Sequence, residues 1–219
     1  MPIDLSTARL YGILDLGYLR PDQLESTARA LIAGGVDLLQ LRAKGHGPRE
    51  ILDYGRRGLP LCRESGVPFI VNDHPGIAAE LGADGLHLGQ DDGLLSEARQ
   101  IVGPELVVGR STHSLEQAEA ALREGFDYIG FGPLFPTPTK LGRPGIGLGD
   151  IAAMEQRVGS RIPAFCIGGI KRDNLAEVRA AGARRVVIVS DLLTDPDPEA
   201  AAGEVAASLS AERGARSAE

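Results

Sequence analysis

Arg42 and Lys44 combine residue types and a spacing that suit the binding of a diphosphate group. They stand two positions apart at the end of an apolar run, so their side chains project to the same side of an extended strand. A guanidinium fork beside a flexible ammonium can bind several phosphate oxygens at once. The alternative is a solvated pair that forms surface salt bridges.

Asp73 and Asp92 follow two neighbouring apolar runs and supply two carboxylates. Mg²⁺ commonly takes one or two protein carboxylates together with substrate phosphates and waters. The two residues therefore suggest a magnesium site. The alternative is structural, because an Asp after a strand is often a helix N-cap or a turn former, and Asp91 and Asp92 both fit that role.

Gly168, Gly169 and Ser190 follow the last two apolar runs of the chain. The glycine pair precedes a helix that we expect to begin near Asp173. In barrels of alternating strands and helices, backbone amides in the loops after the seventh and eighth strands commonly bind phosphate. A tight turn is the alternative interpretation of the glycine pair.

The segment from Pro136 to Lys140 is polar, and the stretch that follows, residues 141–149, is rich in glycine. This stretch is either a lid that closes over a site or an irregular surface loop. The histidines do not have metal-ligand spacing. We interpret His87 as a core residue or a site wall, and His113 as a weak acid–base candidate.

Eight short, nearly continuous apolar runs predict strands that are buried on both faces, as in a parallel sheet. The runs are Leu10 to Leu14, Leu38 to Arg42, Phe69 to Val71, Gly85 to Leu88, Leu106 to Arg110, Tyr128 to Phe131, Ala164 to Ile167 and Arg185 to Val189. Helical stretches separate them, and Asp22 with Glu25 and Ser114 with Gln117 resemble capping boxes. The pattern predicts a single-domain α/β protein with a (β/α)8 TIM barrel.

A weak repeat supports this count of strands. Glycines 35, 82, 125 and 182 each precede a strand, and glycine can adopt the left-handed conformation that ends a helix. Polar residues gather after the strands, whereas the strand entrances look bland. Active sites of such barrels lie at the carboxyl ends of the strands, so this one-sided distribution favours an enzyme.

Composition narrows the class of protein further. The 219 residues carry a net charge of −7, which disfavours binding to nucleic acid or to an anionic membrane surface. We see neither a signal peptide nor an apolar run long enough to span a membrane, and Cys62 and Cys166 are expected to be reduced, buried thiols. We therefore expect a cytoplasmic protein whose barrel domain spans residues 1–209, with a flexible polar tail at 210–219.

Seven segments, taken together and in order, resemble thiamine phosphate synthases. They are QLRAK from Gln40, ND from Asn72, GADGLHLGQDD from Gly82, GRSTHS from Gly109, DYIGFGPLFPTPTK from Asp127, IGGI from Ile167 and VS from Val189. The resemblance extends from about Leu10 to Ser190. It implies an enzyme that joins 4-amino-2-methyl-5-hydroxymethylpyrimidine diphosphate to hydroxyethylthiazole phosphate, with Mg²⁺, to give thiamine phosphate and diphosphate.

The resemblance also implies roles for the matching residues. The catalytic residues would be Arg42, Lys44, Ser111 and Lys140, and the magnesium ligands would be Asp73 and Asp92. The pyrimidine diphosphate would contact Gln40, Arg42, Lys44, Asn72, Ser111 and Lys140. The thiazole phosphate would contact Thr137, Thr139, Gly169, Val189 and Ser190. Leu41, Ala43 and Pro138 would also belong to the substrate-binding residues.

Some features depart from the family pattern, and other functions remain as alternatives. Asp91 stands where the family commonly has Glu, and His74 where it often has Arg, so the role of His74 stays open. A thiazole tautomerase, which would use His113 for acid–base chemistry, is one alternative. A non-catalytic barrel that binds thiamine precursors is another. The expected partners are the two small substrates, and the sequence leaves a homo-oligomer open.

Overall fold

Eight parallel strands close a barrel in the computed structural model, which describes residues 3–136 and 145–210. Each strand pairs with the next one along the chain, and the eighth pairs with the first. The strands are β1 Leu10–Asp15, β2 Leu38–Arg42, β3 Phe69–Asn72, β4 Gly85–Leu88, β5 Val107–Thr112, β6 Tyr128–Phe131, β7 Ala164–Ile167 and β8 Val186–Ile188. The predicted TIM-barrel fold is confirmed.

The apolar runs predicted the strands closely, with differences of one or two residues at some ends. Strands β2, β4, β6 and β7 have the predicted bounds, whereas β1 and β3 each continue for one polar residue. Strand β5 begins one residue later and ends two residues later than predicted, and β8 is one residue shorter at each end. Asp15 and Asn72 extend these strands because they stay in register with Arg42 and His87 of the neighbouring strands. The apolar pattern ends before such polar residues, although the pairing between neighbouring strands continues through them.

Helices follow the strands and cover the outside of the barrel. They are α1 Leu24–Ala33, α2 Pro48–Ser65, α3 Pro75–Leu81, α4 Leu95–Val102, α5 Leu115–Glu124, α6 Ile151–Met154, α7 Leu175–Ala180, α8 Ser190–Leu193 and α9 Pro198–Ser210. Within the described residues, none of these helices is both long and apolar enough to cross a membrane. Residues 211–219, most of the predicted tail, lie outside the described residues.

The helix starts confirm one predicted cap and correct another. Ser114 caps α5 by accepting a hydrogen bond from the Gln117 amide at 3.2 Å. Asp22 does not cap α1, because a 3-10 turn begins at Pro21 and the Asp22 carboxylate pairs with Arg20 instead. The helix expected near Asp173 begins at Leu175, after a turn.

The repeat that precedes alternate strands has a structural cause. Oδ2 of Asp37 accepts a hydrogen bond from the Leu10 amide at 2.8 Å. Asp84 binds the Phe69 amide at 2.8 Å in the same way, and Asp127 binds the Val108 amide at 2.7 Å. Each Asp at the entrance of an even-numbered strand thus satisfies a backbone donor at the start of the preceding strand.

The strands are buried on both faces, so the molecule has two apolar cores. The smaller core fills the barrel and includes the side chains of Tyr11, Leu38, Ile70, Tyr128 and Phe165. The larger core lies between the strands and the helices. Because successive side chains of a strand alternate between the two cores, every second residue near a strand end faces the barrel mouth.

Candidate active site

A cavity of about 90 Å³ opens at the carboxyl end of the barrel, where the last inward-facing residues of the strands meet. Its walls come from every strand or the loop that follows it. Seven residues predicted to contact substrate line it together: Gln40, Arg42, Asn72, Ser111, Gly169, Val189 and Ser190. The expected convergence at one rim is therefore present for these residues.

Arg42 is held at the cavity wall by a carboxylate that the sequence analysis did not single out. Its Nη1 lies 2.7 Å from Oδ2 of Asp15, whose side chain is 1% exposed. The other oxygen of Asp15 accepts a hydrogen bond from the Gly17 amide at 2.9 Å. Both carboxylate oxygens are thus used, and the guanidinium is fixed before any anion arrives.

Lys44 and Asp73 form a second ion pair in the loops after β2 and β3, and neither residue is among those that line the cavity. The Lys44 ammonium lies 2.9 Å from Oδ2 of Asp73, and 55% of the lysine side chain is exposed. Asp73 has a φ angle of 64°, in the left-handed region that non-glycine residues rarely adopt. Such backbone strain persists where the surrounding structure imposes it, and it concentrates at functional sites.

Asp73 and Asp92 interact directly, as predicted for two carboxylates after adjacent strands. Burial, together with the hydrogen bond between the two carboxyl groups, raises the pKa of Asp73. The pKa of Asp92 is lowered, because hydrogen bonds from Asp73 and the Gly89 amide outweigh the opposing effect of its partial burial. The two carboxylates therefore lie close enough together to bind one hard cation between them, which would relieve their mutual repulsion.

Gly89 explains how the Asp92 carboxylate reaches this position. Its amide donates a 2.7 Å hydrogen bond to Oδ2 of Asp92, and a Cβ at position 89 would lie 2.4 Å from that oxygen. A side chain at this position would therefore displace the carboxylate. The glycine of the GQDD segment is required by this close approach.

The glycine pair after β7 packs tightly against the segment that follows β6. A Cβ on Gly168 would lie 2.4 Å from Cα of Pro133, and one on Gly169 would lie 2.6 Å from Cβ of Phe135. The carbonyl of Gly168 accepts a hydrogen bond from the Phe135 amide at 3.0 Å. The pair thus brings the loops after β6 and β7 together at the cavity.

Several predicted contact residues lie elsewhere or outside the described residues. Leu41 and Ala43 are buried in the outer core and do not line the cavity. Thr137, Pro138, Thr139 and Lys140 lie outside the described residues, as does the first part of the glycine-rich stretch. The end of that stretch is bound to the β6 loop, because the Ile146 amide donates to the Pro133 carbonyl at 2.8 Å.

The histidines divide between the cavity and its surroundings. His87 lines the cavity, which confirms its interpretation as a site wall. His113 lies behind the site, where its Nδ1 donates a hydrogen bond to the Gly132 carbonyl. His74 stands at the N-cap position of α3. Tyr11, which also lines the cavity, was missed because it looks like an ordinary aromatic core residue in a strand.

Comparisons with known proteins agree on one family. The family model described as thiamine monophosphate synthase matches residues 10–192. A thiamine-phosphate synthase from Thermus thermophilus is 51% identical over 82% of this chain and 85% of the relative. One from Acidothermus cellulolyticus is 45% identical over 96% of this chain and 99% of the relative.

Solved structures are similar as well. Thiamine phosphate pyrophosphorylase from Pyrococcus furiosus matches with a TM-score of 0.84 and 31% identity, over 95% of this chain and 98% of that one. A 3-hexulose-6-phosphate synthase has a TM-score of 0.66 at 18% identity, which reflects the barrel fold alone. The matched residues contain the barrel and the whole described rim of the cavity, and the chain belongs to the thiamine monophosphate synthase family.

Proposed function

We propose that this protein joins 4-amino-2-methyl-5-hydroxymethylpyrimidine diphosphate to hydroxyethylthiazole phosphate, giving thiamine phosphate and diphosphate. The observation that carries the proposal is the convergence of residues from β2, β3, β5 and the last two loops on one cavity. Family membership and the names of the close relatives support the same transferase reaction. They favour it over a tautomerase and over a barrel that only binds precursors.

The reaction requires charge stabilisation and positioning rather than extensive proton transfer. The bond between the pyrimidine methylene carbon and the diphosphate oxygen breaks, and its electron pair leaves with diphosphate. The lone pair of the thiazole nitrogen then forms the new bond to that carbon. Arg42 is fixed by Asp15 and ready to bind the departing charge, whereas exposed Lys44 can turn from Asp73 to the diphosphate.

Asp73 and Asp92 are the residues that would hold Mg²⁺. Two carboxylates that lie within hydrogen-bonding reach of each other are a suitable oxygen donor set for a hard cation. Within the described residues, no group of three or more acidic, histidine or cysteine side chains could hold a metal. A site with two carboxylates fits a cation whose remaining ligands are phosphate oxygens and waters. When bound, the metal would neutralise charge on the diphosphate.

The thiazole phosphate is assigned to the side of the cavity formed by Gly169, Val189 and Ser190. Gly169 lies in the loop after β7, and Val189 and Ser190 lie where β8 leads into α8, which is the usual phosphate position of such barrels. Thr137 and Thr139 belong to the same proposal through the family resemblance. The two phosphorylated groups would thus enter from different sides, and the reacting atoms would meet between them.

The decisive experiment combines both substrates with the protein and MgCl₂ and measures thiamine phosphate and free diphosphate. Product should require both substrates and the metal. We expect Arg42→Ala and Lys140→Ala to lower turnover by about 10²- to 10³-fold while the circular dichroism spectrum stays unchanged. Wild-type turnover in both variants would remove their assigned roles. Conversion of thiazole phosphate alone, without the pyrimidine or magnesium, would instead identify a tautomerase.

The remaining expectations are part of the same proposal. The partners are the two small substrates, and neither nucleic acid nor a membrane surface is assigned. A cytoplasmic location is supported by Cys62 and Cys166, which are free and buried. Burial raises the pKa of the Cys62 thiol to about 12, so this residue is an inert core thiol rather than a nucleophile.

A further inference from the structure

A chain of four hydrogen bonds crosses the barrel interior, and four of the five residues that form it line the cavity. Nε2 of Gln40 donates to the Tyr11 hydroxyl at 2.6 Å, and the hydroxyls of Tyr11 and Tyr128 are 3.1 Å apart. The Tyr128 hydroxyl lies 3.1 Å from Nδ1 of His87, and Nε2 of His87 lies 3.0 Å from the Ser111 hydroxyl. We call these five residues the interior relay.

The interior relay joins two residues that are expected to contact the pyrimidine diphosphate. Gln40 and Ser111 are its ends, on β2 and β5. The linking residues lie on β1, β6 and β4, and the two tyrosines are 2% and 0% exposed. Burial raises the pKa of both phenols, so they remain neutral hydroxyls that each donate one hydrogen.

The orientation of Gln40 determines the direction of every other bond. Because its amide nitrogen only donates, the Tyr11 oxygen accepts, and the Tyr11 hydrogen passes to Tyr128. The Tyr128 hydroxyl then donates to Nδ1 of His87, which carries its single proton on Nε2 and donates to Ser111. The hydrogen of Ser111 is thereby left to point into the cavity.

The opposite direction would exchange the roles of both ends. It would require the Gln40 amide to turn over so that its carbonyl accepts from Tyr11, with His87 protonated on Nδ1. Ser111 would then donate to His87 and offer only lone pairs to the cavity. The donor or acceptor character of Gln40 is therefore coupled to that of Ser111, about half the barrel away.

We infer that Tyr11 and Tyr128 are positioning residues that fix the hydrogen-bond polarity of the active site. Through them Gln40 presents a carbonyl acceptor, and Ser111 presents a hydroxyl donor, to one pyrimidine diphosphate molecule. The inference rests on the proposed function for the identity of that molecule. The polarity itself is a property of the free protein.

Gly109 makes room for this arrangement. It pairs with Tyr128 across β5 and β6, and a Cβ at position 109 would lie 2.1 Å from Cζ of the tyrosine ring. The Tyr128 ring packs edge-to-face against Phe165 and Tyr11, with centroid distances of 6.0 and 6.1 Å. These contacts involve the ring and not its hydroxyl. Tyr128→Phe therefore removes one oxygen from the interior relay and leaves the packing of the ring nearly unchanged.

The test combines nitrogen-15 NMR of the histidine rings with kinetics of Tyr128→Phe. In the free wild-type protein we expect neutral His87, identified by its loss in His87→Gln, to carry its proton on Nε2. In Tyr128→Phe the ring should lose this fixed tautomer. The kcat/KM for the pyrimidine diphosphate should fall about five- to tenfold, the equivalent of one neutral hydrogen bond, with KM for the thiazole phosphate unchanged.

Tyr54→Phe on α2 is the matched control and should alter neither measurement. Tyr11→Phe provides a second test if Tyr128→Phe does not fold. Protonation of wild-type His87 on Nδ1 would overturn the inference, and so would an unchanged kcat/KM in both relay variants. Because the NMR measurement needs no turnover, its outcome stands apart from any failure to form thiamine phosphate.

Discussion

Asp15 shows how a buried residue can control a cavity residue that the sequence identifies more easily. Its carboxylate is 2.7 Å from the Arg42 guanidinium, and only 17% of the arginine side chain is exposed. Asp15→Asn preserves the shape and an acceptor for the Gly17 amide but removes the charge. We expect kcat/KM for the pyrimidine diphosphate to fall about 10- to 100-fold, because Arg42 would no longer be fixed in position.

An exposed aspartate offers the control for this prediction. Asp22 also pairs with an arginine, Arg20, but both side chains are about 70% exposed, at 69% and 71%. Exposed pairs contribute little, so Asp22→Asn should match the wild type in both steady-state kinetics and thermal unfolding. If Asp15→Asn lowers the melting temperature yet keeps full kcat/KM, Asp15 serves the fold and not the site.

The site residues that could be predicted from sequence share one property: they are polar and follow apolar runs. Arg42, Asn72 and Ser111 stand out for this reason, and the structure brings them to one cavity. Tyr11 and Tyr128 could not be recognised, because an aromatic residue within a strand is ordinarily core. Their function depends on which side chains meet inside the closed barrel. The local spacing of residues in the sequence does not contain that information.

At the scale of elements, the strands could be predicted well because burial on both faces leaves a continuous apolar signal. The helix starts were harder to predict, because a cap depends on one hydrogen bond. Ser114 fulfils its predicted capping role, whereas the turn at Pro21 moves the start of α1 beyond Asp22. The strand entrances carry more charged residues than predicted, including Arg9, Arg184 and Arg185.

The contact between α1 and α9 predicts opposite effects for the same substitution at two glycines. A Cβ on Gly34, at the end of α1, would lie 2.5 Å from the Glu199 carbonyl oxygen and 2.6 Å from Cβ of Ala202. Gly34→Ala should therefore lower the free energy of unfolding by about 1–3 kcal/mol through overpacking. Urea unfolding followed by circular dichroism provides the measurement.

Gly203 lies within α9, and a Cβ there would meet no atom within 4 Å among the described residues. Gly203→Ala should raise the free energy of unfolding by about 1 kcal/mol, because alanine costs less backbone entropy in a helix. If both Gly34→Ala and Gly203→Ala raised the free energy of unfolding, α9 could shift away from α1 without a loss of stability. The close packing of these helices would then have no energetic role.

In the molecule as a whole, the residues of the proposed reaction and a group of stabilising contacts lie at opposite ends of the barrel. The candidate active site lies at the carboxyl ends of the strands, whereas a cavity of about 780 Å³ at the amino ends is lined by four arginines and Glu155. Arg179 binds the Ser208 carbonyl at 2.7 Å, and Arg185 binds the Ser6 carbonyl at 2.8 Å. These contacts tie the two ends of the described chain to the barrel, so changes there should affect stability and spare catalysis.

Glu155 should make the stability of the barrel depend on pH. Its side chain is buried, with the residue 4% exposed, and one carboxylate oxygen has no hydrogen-bond partner among the described residues. Burial raises its pKa above the ordinary 4.5, against the opposing effects of the Arg184 amide and the charges of Arg185 and Arg184. The folded state therefore binds this proton more tightly than the unfolded state does.

The sign of the effect follows from proton linkage. Between the ordinary pKa and the raised pKa the folded protein holds the extra proton, so stability falls as pH rises, and the loss is complete above the raised value. Glu155→Gln cannot titrate, so its melting temperature should exceed that of the wild type at pH 8, and the difference should shrink toward pH 4. Scanning calorimetry across this range would measure it, with turnover as the control because Glu155 is at the opposite end from the site. A variant that melts below the wild type at pH 8 would show that attraction to the neighbouring arginines exceeds the cost of burying the charge.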